Sequence, residues 1–206
     1  LDLPPRAANA LHFAAGFAPP RPSLAPDAPE LSAVRDAARA IITVAAPAPA
    51  LVVDRRWTLI EANAAAAALM AGAAALLSPP VNVLRLTLHP EGLAPMIVNY
   101  RDWRAHVAAR LTRDAGISGD DELLTLRDEL LSYPVPHHAR PGGARPAPGA
   151  VALPLSLKTP LGTLNLFSAT TMFGAASEVT ASELMIESFW PATDSDRALL
   201  AALAAS

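Results

Sequence analysis

A chain of 206 residues has room for one generous domain, or for one domain with a helical annex, and 52% hydrophobic against 17% charged residues excludes disorder throughout. Sixteen basic residues against nineteen acidic ones leave a net charge of −3, which supplies no basic footprint for a phosphate backbone. With no cysteine there is no disulfide framework, thiolate zinc site or cysteine nucleophile, which fits a cytoplasmic setting.

In chain order, residues 4–17 read as a helix: proline is tolerated in the first turn, Leu11 and Ala15 stack at i,i+4, and Gly16 is a stop. The stretch APPRPSLAPDAPE breaks it. A second helix is expected over residues 30–44, with Leu31, Val34, Ala38, Ile41 and Ile42 on one face, before APAPA imposes an extended link. These two helices form an annex ahead of the main domain. Residues 51–53 are a short apolar run, Asp54, Arg55 and Arg56 a polar turn, and residues 57–62 a return, which together predict a β-hairpin. Asn63 caps an alanine-rich helix expected to run to about Leu77, where Ser78-Pro79-Pro80 ends it. The charge-free window 62–84 is long enough for a membrane span but is interrupted by Asn63, Gly72, the two prolines and Asn82, so a soluble helix and turn explain it better.

Residues 82–88 predict a short helix reaching the break at His89-Pro90. From Met96, apolar residues return at Tyr100, Trp103, Val107 and Leu111, which is helical spacing. A further helix is expected over residues 120–132, its acidic start suited to the positive end of the helix dipole. Residues 133–149 are dense in Pro and Gly and read as a loop. Val151, Leu153, Leu155 and Leu157 then alternate, Thr159-Pro160-Leu161-Gly162 makes a turn, and residues 164–168 begin the return strand; Pro154 places the first of these strands at a sheet edge. Residues 184–190 are apolar enough for another strand, with a helix starting near Thr180 as the alternative. Asp194 or Ser195 caps a last helix over residues 196–205. Hairpin, helices, then a three-strand meander make an α+β domain with an antiparallel sheet and helices packed on one face.

Catalytic chemistry has nothing specific behind it, so the chain reads as a non-enzyme. His137 and His138 sit in the Pro/Gly loop without HExxH spacing, which argues against a metal site. His89 reads as a structural histidine before it reads as a base. Asp120, Asp121 and Glu122 point around a helix rather than converging, and no nucleophile elbow, dinucleotide fingerprint or phosphate-binding loop around the single lysine, Lys158, can be built. No cofactor is called for. The remaining signal is an apolar sheet face opposite helices carrying Met96, Tyr100 and Trp103, with Asn63, Asn82 and Asn99 near helix starts. That describes an ordinary core or a mostly apolar pocket with a few orienting polar groups; periodicity favours the core.

Three strings carry a resemblance: PALVVDRRWTLIEANAAAAALM (residues 49–70), NVLRLTLHPEGLAPMIVNYRDWRAHVAARL (82–111) and TPLGTLNLFSATTMFGAASEVTASELMIESFWPA (159–192). They resemble the MmyB-like ligand-binding domain of bacterial helix-turn-helix regulators of the XRE class. Residues 1–19, ending in Gly16-Phe17-Ala18-Pro19, resemble the last helix and exit of those regulators' DNA-binding domain. The resemblance implies three parts: a remnant of the DNA reader over residues 1–19, a linker and connecting helix over 20–48, and a PAS-like sensor over 49–206. It implies a cytoplasmic transcription factor acting as a homodimer, with DNA binding belonging to a parent protein, and a cavity accepting a small apolar or fatty-acid-like ligand. The residues assigned to that ligand are Trp57, Leu84, Tyr100 and Trp103 for its body and Asn82, His89 or Asn99 for its polar head. A dimerisation module of the same regulator, with no small-molecule effector, is the alternative.

Overall fold

The computed structural model describes residues 5–19, 28–139, 153–173 and 183–205. The expected hairpin is β1 (Ala50–Val53) and β2 (Leu59–Ala62), and the expected meander is β3 (Leu155–Thr159), β4 (Gly162–Met172) and β5 (Met185–Pro191). All pairings are antiparallel, in the order β2-β1-β5-β4-β3, so hairpin and meander fuse where β1 meets β5. β3 lies at an edge, where the proline preceding it costs no ladder hydrogen bond. Val151 and the Thr180 helix start lie outside the described residues, as does the loop from residue 140 to 149; residues 185–191 are strand.

Side chains alternate across β1. Leu51 and Val53 face the main core, together with Leu155 and Leu157 of β3, Leu164 and Leu166 of β4 and Met185 of β5. Over this face lie α3 (Ala64–Met70), α4 (Val83–Leu88), α5 (Tyr100–Ser118) and α6 (Asp121–Ser132), the last two antiparallel across a tight corner. The corner needs Gly119, whose φ of +68° closes α5 in the left-handed region, and Asp120, whose carboxylate accepts the Glu122 N–H as cap of α6. The opposite face of β1 and β5, formed by Ala50, Val52 and Ile186, is covered by α2 (Ser32–Val44) through Ala38 and Ile42. The second helix of the annex is therefore packed against the sheet and closes its outer side. α1 (Pro5–Ala14) is the other annex helix, and α7 (Asp194–Ala204) returns along β4 and β5, burying Leu200.

Two boundaries differ from expectation. The alanine helix ends as α-helix at Met70 and continues to Leu76 as a 3-10 stretch with a non-helical residue at Ala73. Gly72 weakens the helix there, and the kink turns Ala73 inward against Met70, Val81, Leu86 and Leu93. α7 starts earlier than expected because Thr193 is its cap: the hydroxyl accepts the Asp196 N–H at 3.1 Å, with Asp194 and Asp196 in the first turn.

Asn63 does more than cap α3. Its Oδ1 accepts the Ala66 N–H at 2.9 Å and the Ala50 N–H at 3.1 Å, while Nδ2 donates to the carbonyls of Ile42 at 3.0 Å and Ala48 at 2.9 Å. One buried side chain thus joins α2, the linker, β1 and α3. Past α4 the chain folds back so tightly that a Cβ at Gly92 would sit 2.0 Å from the Leu86 carbonyl oxygen, and only glycine allows the Leu93 N–H to reach that oxygen. Among the described residues, no helix is long and apolar enough to cross a membrane.

Candidate functional site

The hairpin turn sets up the site. Asp54 Oδ1 accepts the N–H groups of Arg56 and Thr58 at 2.9 and 2.8 Å, and the Trp57 N–H reaches the Asp54 carbonyl at 3.0 Å. This geometry holds Trp57 at φ +67°, a left-handed conformation that a turn of this kind ordinarily reserves for glycine. A bulky residue kept there by surrounding bonds marks a position where the side chain matters more than local comfort. The ring is 4% exposed and points into the main core.

There it borders an interior cavity between the sheet and α3, α4 and α5. The cavity has about 70 Å³ of room for the centre of a water-sized sphere, several times the ~10–15 Å³ that one water requires. Its walls are largely aliphatic: Leu51, Leu155, Leu157, Leu166 and Phe189 from the sheet, Ala66, Leu69 and Met70 from α3, Val83, Leu84 and Leu86 from α4, and Val107 from α5. Trp103, His106 and Arg110 come from the same side of α5, at i, i+3 and i+7. Their polar atoms, with Thr87, Glu187 and the Trp57 indole, are the exceptions in an apolar lining.

Those exceptions are ordered. Arg110 donates from Nη1 to Glu187 Oε1 at 2.9 Å and from Nη2 to Glu187 Oε2 at 3.3 Å and Thr170 Oγ1 at 2.8 Å. Thr170 Oγ1 in turn donates to Glu187 Oε2 at 2.7 Å, and the Arg110 guanidinium lies over the Trp57 ring, 4.3 Å from its centroid. Glu187 is 3% exposed, so the pair is a desolvated one whose geometry satisfies both partners. The His106 ring stacks on Trp103 at 5.3 Å, and burial, followed by the charges of Arg110 and Arg113, pushes its pKa down, which keeps the imidazole neutral at pH 7. Two polar atoms are left over. Among the described residues, the Nε1–H groups of Trp57 and Trp103 are buried without a hydrogen-bond partner, and both rings line the cavity.

Of the residues singled out in the sequence, Trp57, Leu84 and Trp103 meet at this cavity. Tyr100 is fully buried in the main core but is not part of the cavity wall, and it donates its hydroxyl to the Leu88 carbonyl at 2.9 Å. Asn82 caps α4, accepting the Leu84 and Arg85 N–H groups, and donates to the Arg56 carbonyl; it borders a polar surface groove with Arg56, Arg85 and Glu122. Asn99 clips the start of β3, donating to the Pro154 carbonyl and accepting the Ser156 N–H. His89 closes α4, accepts the Glu91 N–H on Nδ1, and sets its ring edge-on to Tyr133 at 5.0 Å. Tyr133 donates to Glu129, and burial together with that bond raises its pKa to about 12. None of these three lines the cavity.

Sequence reasoning passed over His106, Arg110 and Glu187. A signal for them existed: His106 and Arg110 continue the Trp103 face of α5, and Glu187 is the one charge within the strand MIESFWP. Asp120 also does more than begin a helix. Arg55 and Arg56 both bind its carboxylate; burial alone would raise its pKa, but these partners outweigh that and hold it below the usual carboxylate range. Arg55 also reaches Glu183 at 3.4 Å, and Glu183 takes Arg6 of α1 at 2.6 Å. Among the described residues, no group of three or more metal-ligating side chains is found.

No curated protein is similar enough to this chain to count as a match. One protein family does match, over residues 34–203, from the middle of the annex through α7; with most of its length so covered, the chain belongs to the family of the MmyB-like transcription regulator ligand binding domain.

Proposed function

We propose that this domain is the effector-sensing part of a bacterial helix-turn-helix regulator of the XRE class, binding a small apolar or fatty-acid-like molecule in the cavity behind Trp57 and Trp103. The observation that carries the reading is the cavity itself: room remains in the middle of the main core, walled by aliphatic side chains, in a domain whose family is defined by ligand binding. The strand order β2-β1-β5-β4-β3 supports the PAS-like description. An alkyl chain of about ten methylenes, at roughly 0.8 kcal/mol each, gains about 8 kcal/mol on burial, a gross gain equal to that of micromolar binding, so once ordering costs are subtracted longer chains or added polar contacts are needed to reach micromolar affinity.

The output runs to DNA through a separate reader in a homodimeric parent protein. Trp57 adjoins Arg55 and Arg56, and the ion pairs from Arg55 to Glu183 and from Glu183 to Arg6 link the cavity wall to α1, the helix that resembles the exit of the DNA-binding domain. A ligand that favours one setting of the hairpin turn would shift that linkage by its differential affinity. Native mass spectrometry of the purified domain and thermal shift with alkyl compounds of eight to sixteen carbons test the reading. A co-purifying mass or a shift that grows with chain length supports it. A clean mass with no shift from any compound overturns it and leaves the pairing module without effector, which a concentration-dependent dimer in sedimentation would support.

A further inference from the structure

The polar end of the cavity constrains the chemistry of its ligand. Among the described residues, every charge that borders it is already matched. Arg110 is engaged by Glu187 through both terminal nitrogens and by Thr170, and Asp114 lies 3.9 Å from its Nε, so the guanidinium has no unmatched charge to offer an incoming anion. Glu187 accepts from Arg110 and Thr170 and is itself a buried carboxylate on the wall. His106 is kept neutral by burial. The groups left unsatisfied are two neutral donors, the indole N–H groups of Trp57 and Trp103, in side chains 4% and 5% exposed. A buried donor without a partner costs about 1–3 kcal/mol, so this is a standing incentive for an acceptor to enter.

We infer that the ligand carries a neutral hydrogen-bond acceptor, a carbonyl of ester, lactone, ketone or amide type on an apolar body, and that Trp57 and Trp103 receive it, whereas an ionised carboxylate is rejected. The inference rests on the cavity being a ligand site. Its physical basis is that a neutral carbonyl satisfies the indoles without needing a counter-charge. A carboxylate would have to shed its hydration beside Glu187, in a wall whose cation is already paired. Sites built with neutral donors discriminate by what they leave unpaired, and here the unpaired partner would be an anion.

The test compares decane, methyl decanoate, 2-undecanone and decanoate at pH 8 on the same domain, by titration calorimetry and by the indole N–H signals in proton–nitrogen NMR. Three tryptophans give three signals. Trp190 is an internal control, because its Nε1–H already donates to Ser188 Oγ at 2.9 Å. The expected result is that the ester and the ketone bind at least tenfold more tightly than decanoate and shift two indole signals downfield while the Trp190 signal stays. Trp57→Phe and Trp103→Phe should each weaken ester binding several-fold and leave decane binding unchanged. Glu187→Gln, which keeps an acceptor for Arg110 but removes the negative charge, should narrow or reverse the preference for ester over acid. If decanoate binds as tightly as the ester, or the indole signals do not move on ester binding, the inference falls while the cavity remains a ligand site. If none of the four compounds binds, the ligand-site reading falls and takes this one with it.

Discussion

Asn63→Ala is the most informative single change to the frame that holds the cavity. Truncation removes four hydrogen bonds at once, to the Ala50 and Ala66 N–H groups and to the Ile42 and Ala48 carbonyls, at a residue only 9% exposed. Loss of the cap to α3 costs about 1 kcal/mol, and three further buried groups left without partners cost about 1 kcal/mol each at the lower end of that range, giving about 3–4 kcal/mol. For a chain of this size each kcal/mol lowers the Tm by about 2–4 °C, so a fall of about 6–16 °C is expected. Urea denaturation measures the free energy, with an unchanged slope confirming that native stability rather than denatured-state compactness has moved. Asn82→Ala is the comparison. It also loses a cap and a bond to a carbonyl, but at a half-buried position where water replaces part of the loss, so about 1–2 kcal/mol is expected. Hydrogen exchange adds a spatial readout: Asn63→Ala should loosen α2, whose C-terminal turn it holds through Ile42, before it loosens α5. A cost below 1 kcal/mol, or one equal to that of Asn82→Ala, would refute the idea that one side chain fastens both faces of the sheet.

Ala66→Leu places three extra carbons at the cavity wall in a helix that tolerates leucine; the expected outcome is a Tm unchanged or raised by the equivalent of about 1 kcal/mol, with alkyl-ligand binding weakened at least tenfold in calorimetry. The depressed carboxylate of Asp120 contributes stability that is present above the unfolded-state value near 4 and is lost as pH falls through its lower folded-state value, so Asp120→Asn should flatten the acid limb of a stability–pH curve. His106 has the opposite ionic sense but the same slope: its folded-state pKa lies below the ordinary ~6.5, so the unfolded chain binds the proton first and stability declines as pH drops beneath that value. His106→Gln should remove that decline below about pH 6.5, and an unchanged profile would count against a half-buried imidazole held neutral.

Most of the fold was legible because its elements obey strong local rules. The hairpin, the capped start of α3, the acidic start of α6, the Trp103 face of α5 and the edge position of β3 follow from alternation, a cap, the helix dipole, helical spacing and Pro154. The places where reading stopped short are those decided by tertiary contact. No local pattern says that α2 docks on the far side of the sheet, since the apolar face of Ala38 and Ile42 fits either side of β1. Nor does any local pattern stop the alanine run at Met70, where the demand to bury Ala73 outweighs helix propensity.

The candidate site was legible only in its apolar half, because its polar half is made of charged residues at core-facing positions. Periodicity identifies inward positions by hydrophobicity, so a charged residue at an inward position is classed as an exception and assigned to the surface. Arg110 and Glu187 are both such residues: each occupies a core-facing register, seven residues beyond Trp103 on α5 and opposite Leu51 on the sheet. A desolvated ion pair is weak evidence of stability, because well-packed aliphatic residues of similar size often serve as well or better. The same pressure explains the asparagines, which drew attention as polar residues at helix starts and are occupied by backbone groups there. Polarity at a cap satisfies the chain; at the core register Arg110 and Glu187 satisfy each other, and among the described residues the two indole N–H groups beside them are the buried side-chain donors still without a partner.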